Sequence, residues 1–218
     1  MLTHSAVKTP LRQRLVLPQG KEGGLAPALS VAKKWSNLNL PGALHFVSGN
    51  VLDRTQIFTD ATLCTAFLDE LNLLNKKWPS KLIAYVIMPD HFHLISNPRD
   101  GRIKQFIGTL KSLTAKRIVK TSKRFRFRAD TDGYHQIWQQ SFKAMPLWSA
   151  WMIWQKINYI HANPVRARLV GSAKDYQWSS FRSFYSQSET SLAVDHEWSW
   201  DDDVEKLSRA VKQGGHRP

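Results

Sequence analysis

Apolar residues recur along this chain in two periods. Leu63, Phe67, Leu71 and Leu74 fall three or four residues apart, which predicts a helix over residues 60–77 with one buried face. Ile103, Phe106, Ile107, Leu110 and Leu113 form the stripe of a second helix over residues 102–120. Between them, residues 81–88 are a β-prone run that is apolar on both faces, the pattern of a central strand. Pro89-Asp90 marks a turn, and residues 91–96 follow as a strand, so the two make a hairpin. Residues 44–51 read as an earlier strand, residues 134–144 as a later one, and residues 148–163 as a third helix. The order β-α-β-β-α-β, closed by a helix, predicts an α+β, ferredoxin-like or RRM-like core with a C-terminal helix.

The flanks differ in pattern. Residues 1–41 carry Pro10, Pro18, Pro27, Pro41 and the Gly23-Gly24 pair, with Glu22 as the single acid and no sustained period. A mostly disordered basic arm that touches phosphates is expected there. Residues 42–185 make the folded domain, in which Trp178-Ser179-Ser180 and Phe181 are expected to pack back on the core. Residues 186–218 are a tail with an acidic run, Asp201-Asp202-Asp203, and a last short helix, expected to be solvated.

Charge narrows the function. The 218 residues hold 31 Lys and Arg against 17 Asp and Glu, a formal net charge of +14. Such an excess suits a polyanion, most simply nucleic acid. Cys64 is the only cysteine, which excludes intramolecular disulfides and a zinc ribbon and fits a reducing compartment. With no membrane span or secretory signal in the pattern, a cytoplasmic protein that binds no membrane is expected.

The sharpest chemical feature is His91-Phe92-His93. Strand alternation points both imidazoles to one face and Phe92 to the other, and two imidazoles on one face can chelate a divalent metal. A pair of inert strand histidines is the plainer alternative. On the third helix Tyr159 and Asn163 lie four apart and share a face with Gln155. The amide oxygen can complete coordination and the phenol can attack a polarised phosphate. Equally, Tyr159 fits an ordinary amphipathic helix, and Asn163 fits an N-cap before Pro164 at the start of a following helix. His161 is expected at the surface or on a phosphate, and His45 in a structural role.

Residues 101–129 contain no acid. Arg102, Lys104, Lys111, Lys116, Arg117, Lys120, Lys123, Arg124, Arg126 and Arg128 are the candidate nucleic-acid contacts, with Phe125 and Phe127 interleaved for stacking or packed in the core. Trp148, Trp151 and Trp154 are read as core packing.

Met88-Pro89-Asp90-His91-Phe92-His93-Leu94-Ile95 and Asn158-Tyr159-Ile160-His161-Ala162-Asn163-Pro164-Val165 together resemble the single-tyrosine His-hydrophobe-His transposases, in particular the REP-associated tyrosine transposases. The likeness covers about residues 42–185 and includes Trp178-Ser179-Ser180. Phe142-Lys143-Ala144-Met145-Pro146 lacks the polar cluster that the family often carries there. The resemblance implies a ferredoxin-like domain that cuts single-stranded DNA beside hairpins. It implies Mg²⁺ or Mn²⁺ on His91, His93 and Asn163, and Tyr159 as the nucleophile forming a 5′-phosphotyrosine. The expected partner is hairpin-bearing single-stranded DNA, bound by a monomer or homodimer. Two rivals are a non-catalytic hairpin-binding protein and a metal hydrolase that uses water.

Overall fold

A computed structural model describes Asn39, residues 42–127, Ala129, Thr131, Gly133, residues 135–185 and residues 191–197. The basic arm apart from Asn39, Arg128, Tyr134 and the acidic run lie outside the described residues. The elements are β1 (Leu44–Asn50), α1 (Ala61–Lys77), β2 (Ser80–Met88), β3 (His91–Pro98), α2 (Ile103–Thr121), β4 (Lys143–Leu147), α3 (Ala150–Arg166) and α4 (Phe181–Tyr185). The four strands form one antiparallel sheet in the order β2-β3-β1-β4. This is the predicted α+β, ferredoxin-like arrangement.

Local chemistry starts the helices where the pattern placed them. Asp60 caps α1 by accepting from the Thr62 amide at 2.9 Å, and Ser149 caps α3 by accepting from the Met152 amide at 3.2 Å. The sheet is covered on both faces. Leu82, Tyr85, Ile87, Phe92 and Leu94 pack with the α1 and α2 residues Phe67, Leu71, Phe106 and Leu110. Ile83, Val86, Met88 and Ile95 pack with Ile153, Ile157 and Ile160 of α3. The register between β2 and β3 shifts at Leu82/Ala84, so the adjacent Ile83 and Ala84 both serve the α3 side.

The fourth strand differs from the expectation of residues 134–144. It runs from Lys143 to Leu147 and pairs with β1 through Leu44↔Leu147 and Phe46↔Met145. Pro146 is tolerated because β4 is an edge. The preceding stretch holds the end of β1 only locally, through Val51↔Trp138, Leu52 N–H to Ile137 O at 2.8 Å and Gln139 N–H to Asn50 O at 2.9 Å. Its next carbonyls, on Gln139 and Gln140, accept from Lys111 Nζ at 2.5 and 3.1 Å instead of from a strand.

The other edge, β2, is covered by later chain. Ile87 donates to Trp178 O at 2.9 Å, Ser180 N–H to Tyr85 O at 3.0 Å, and Asp195 N–H to Leu82 O at 2.7 Å. The expected return of Trp178–Phe181 to the core is therefore present. Past residue 186, where a solvated tail was expected, Leu192 is buried and Asp195 pairs with β2. Such cover removes an exposed row of strand donors and acceptors. Cys64 is buried, and burial pushes its thiol up to about 12, which keeps it protonated and unreactive. No helix among the described residues is long and apolar enough to cross a membrane.

Candidate active site

The β2–β3 hairpin is pinned at its turn. Phe58 donates to Pro89 O and Val51 to Asp90 O, each at 2.9 Å. Across β1, Gly49 opposes Phe92, and a Cβ at position 49 would lie 2.4 Å from Phe92 Cε1. Glycine there lets the ring reach Phe67 and Trp138, at centroid distances of 5.0 and 5.3 Å. With Phe92 anchored on one side, alternation sends His91 and His93 to the α3 side, their ring centroids 4.9 Å apart at 76°.

Tyr159 meets them from α3. Its ring lies edge-on to His93 at 5.3 Å and to Phe46 at 5.7 Å, while His93 stacks on Phe46 at 5.2 Å. Lys156 and Arg166, three residues before and seven after, share the tyrosine's helix face. Lys156 Nζ is 5.6 Å from the Tyr159 ring centre and Arg166 Cζ is 5.8 Å. These cations can balance the charge of a phosphate brought to the phenol. Asn163 lies one turn beyond Tyr159, and its buried Nδ2 has no hydrogen-bond partner among the described residues.

Burial disfavours the charged form of both imidazoles. Burial pushes His93 down to about 3, helped by neighbouring His91, Arg54 and Lys156 and opposed by a hydrogen bond with the Val47 backbone. Burial also lowers His91, against the Asp90 carboxylate that favours its charged form. His91 Nδ1 sits 2.5 Å from Asp90 Oδ1, whose partner oxygen accepts from Arg54 Nε at 2.8 Å. Neutral imidazole is the metal-ligating form. Among the described residues the buried His93 Nδ1 has no partner, and an ion would satisfy this nitrogen. The Asn163 carboxamide can turn its oxygen forward in the same role. Among the described residues no group of three or more His, Cys, Asp or Glu side chains is arranged to hold an ion. Carboxamide or water would therefore complete the sphere.

Residues 43–163, more than half of the chain, match the family described as Transposase IS200 like. The chain belongs to the IS200-like transposase family. A protein of Haemophilus influenzae, provisionally named a REP-associated tyrosine transposase, is 26% identical over 146 residues, 64% of this chain and 80% of its own length. The solved structure of a REP-associated tyrosine transposase bound to a REP hairpin superposes with a TM-score of 0.54 at 19% identity. It covers 73% of this chain and 90% of that one, and it carries the fold alone. Membership of that family supports a DNA-processing enzyme of transposase type.

In this IS200-like transposase several expectations need correction. His161 is not at the surface. It is 3% exposed, its Nε2 lies 2.9 Å from Ser180 Oγ, and the rings of Phe181, Phe184 and Tyr185 surround it. Lys111 leaves the candidate DNA contacts, because its ammonium is turned inward onto the Gln139 and Gln140 carbonyls. The tryptophans are not core: Trp148, Trp151 and Trp154 are 60%, 70% and 43% exposed. Their strict three-residue spacing drifts off the buried stripe of Ile153, Ile157 and Ile160. Asn163 caps no new helix, since α3 continues through Pro164 to Arg166 and ends beside Arg168, at φ 57°. His45 is buried, as its structural role required.

Arg102, Lys104, Lys116, Arg117, Lys120, Lys123, Arg124 and Arg126 are exposed. The cations of α2 belong to the layer on the opposite side of the sheet from Tyr159, and Arg117 reaches Asp69 at 3.5 Å and Glu70 at 3.6 Å. Phe125 and Phe127 pack against the core, and with Arg126 they wall a cavity of about 740 Å³ that also borders Leu52, Asp53 and Thr55. Sequence reasoning missed Lys156, Arg166, Phe46 and the Asp90–Arg54 pair. The first two were recoverable from their helical spacing to Tyr159. Phe46 and Arg54 reach the site only through β-sheet pairing and a loop.

Proposed function

We propose that this transposase cuts and rejoins single-stranded DNA beside hairpins of REP type, through a 5′-phosphotyrosine. One observation carries the reading: the Tyr159 ring is packed against His93, whose ring lies beside that of His91 on the same face of the sheet. The basic chain and the hairpin-bound relative add support. A divalent ion, Mg²⁺ or Mn²⁺, held by His91, His93 and Asn163, would supply Lewis acidity and orientation at the scissile phosphate. Tyr159 Oη attacks phosphorus, an O–P bond forms, and the bond to the 3′ oxygen breaks to leave a 3′-hydroxyl. Attack by a 3′-hydroxyl on the phosphotyrosine reverses the step and joins ends. Lys156 and Arg166 hold the phosphate. The exposed cations from Arg102 to Arg126 hold the flanking backbone by charge.

The test is incubation with end-labelled hairpin-bearing single-stranded DNA and Mn²⁺, followed by denaturing electrophoresis. The wild type gives a protein–DNA adduct, and Tyr159→Phe loses it while still binding the hairpin. Cleavage that survives in Tyr159→Phe would instead identify a water-using hydrolase. Binding with no cleavage in either protein would identify a hairpin-binding module.

A further inference from the structure

A chain of polar contacts backs His91 from outside the site. Asp90 uses its two oxygens on two partners: Oδ1 meets His91 Nδ1 at 2.5 Å and Oδ2 meets Arg54 Nε at 2.8 Å. Arg54 Nη1 donates to Asn50 Oδ1 at 2.6 Å, and Asn50 Nδ2 to Gln139 Oε1 at 3.2 Å. Gln139 in turn is tied down through its carbonyl by the buried ammonium of Lys111. Arg54 is delivered by an unusual turn in which two successive non-glycine residues, Asp53 and Arg54, have φ of 53° and 56°.

Donor and acceptor identities make this chain directional. A guanidinium only donates, so the Asp90 oxygen facing Arg54 must accept. A carboxylate only accepts, so the His91 nitrogen facing the other oxygen must carry the proton. The remaining nitrogen of His91, Nε2, then keeps its lone pair.

We propose that Asp90, clamped by Arg54, is a positioning residue that holds His91 as the Nδ1–H tautomer and leaves Nε2 to ligate the metal. The proposal rests on the reading of His91 as a metal ligand, and it makes a prediction that a merely structural role does not. In Asp90→Asn the amide oxygen still accepts from Arg54, which turns the NH₂ toward His91. That NH₂ donates to Nδ1, and the imidazole proton moves to Nε2, where it blocks coordination. Removing Arg54 in the same chain frees the amide to rotate, so Arg54→Ala restores part of what Asp90→Asn removes.

Two measurements decide it. Long-range ¹H–¹⁵N correlation spectra of the metal-free protein read the His91 tautomer, and titration followed by Mn²⁺ electron paramagnetic resonance reads affinity. The wild type is expected as Nδ1–H, and Asp90→Asn as Nε2–H with Mn²⁺ affinity at least ~10-fold weaker, in the range usual for ligand-orienting partners. The double variant Arg54→Ala/Asp90→Asn binds Mn²⁺ more tightly than Asp90→Asn. An Nε2–H tautomer in the wild type overturns the proposal without any variant having to fold. Equal Mn²⁺ affinity in wild type and Asp90→Asn, or a double variant no better than the single, overturns it too. Wild-type protein that binds no Mn²⁺ sinks the metal site under the proposed function, and the metal-free spectrum then still decides whether Asp90 sets the tautomer.

Discussion

Between the sheet and α1/α2 lie Phe67, Phe92, Phe106, Leu71 and Leu110, an apolar layer with tightly engaged rings. Between the sheet and α3 the apolar layer thins to Ile83, Val86, Ile95, Ile153, Ile157 and Ile160. Around that second layer His93, His161 and Asn163 keep buried nitrogens without partners among the described residues. The first face gains stability from burial, each large side chain contributing about 1.5–3 kcal/mol. The second gives up some of that to hold polar groups in fixed places, which costs stability wherever a buried donor or acceptor stays unpaired. Phe92 and His93, neighbours on one strand, serve the two faces separately.

The largest effect expected is on chemistry alone. Tyr159→Phe removes one hydroxyl and should lower adduct formation by at least ~1,000-fold, a barrier increase of about 4 kcal/mol, with little change in melting temperature. Denaturing electrophoresis and a thermal melt read both. Phe92→Ala on the other face should do the reverse at first order, costing about 3–5 kcal/mol in urea unfolding by leaving a cavity beneath the histidines.

Acid should act on the polar face. Burial holds His161 down to about 4, against an ordinary value of 6.5. Below pH 6.5 the unfolded chain takes up a proton that the folded chain refuses. Stability from this group is therefore complete above pH 6.5 and is lost as pH falls toward 4, by up to about 3 kcal/mol. His93 acts with the same sign in the metal-free protein. His161→Gln should flatten part of that slope in chemical unfolding measured from pH 7 to 4; an unchanged slope would contradict the burial of this imidazole.

Smaller effects separate two lysines of one helix. Lys111→Met should cost about 1–3 kcal/mol by stranding the Gln139 and Gln140 carbonyls. Lys104→Ala, an exposed position, should change stability by less than about 0.5 kcal/mol. It should weaken hairpin binding and lower the salt dependence of that binding by about one unit of slope. Equal stability loss in both would contradict the inward course of Lys111.

Much of this was legible along the chain, because each strong signal was local. Leu63 to Leu74 showed a helix by period, the apolar run at 81–88 showed a central strand, and His91-Phe92-His93 showed two like side chains on one face by alternation alone. Period also misled where residues were apolar without being needed inside, as with Trp148, Trp151 and Trp154. The fourth strand was displaced because Ile137 and Trp138 are buried like strand residues, yet their neighbours' carbonyls are taken by a lysine ammonium.

Charge, spacing and motif order are properties of neighbours in sequence, and they were enough to name the fold and to nominate His91, His93, Tyr159 and Asn163. Which of two equivalent lysines turns inward, and whether His161 of α3 is walled in by rings from α4, depend on residues tens of positions away. So does the arrival of Arg54 behind Asp90, since strand pairing and loop closure bring those groups together and no local period records them.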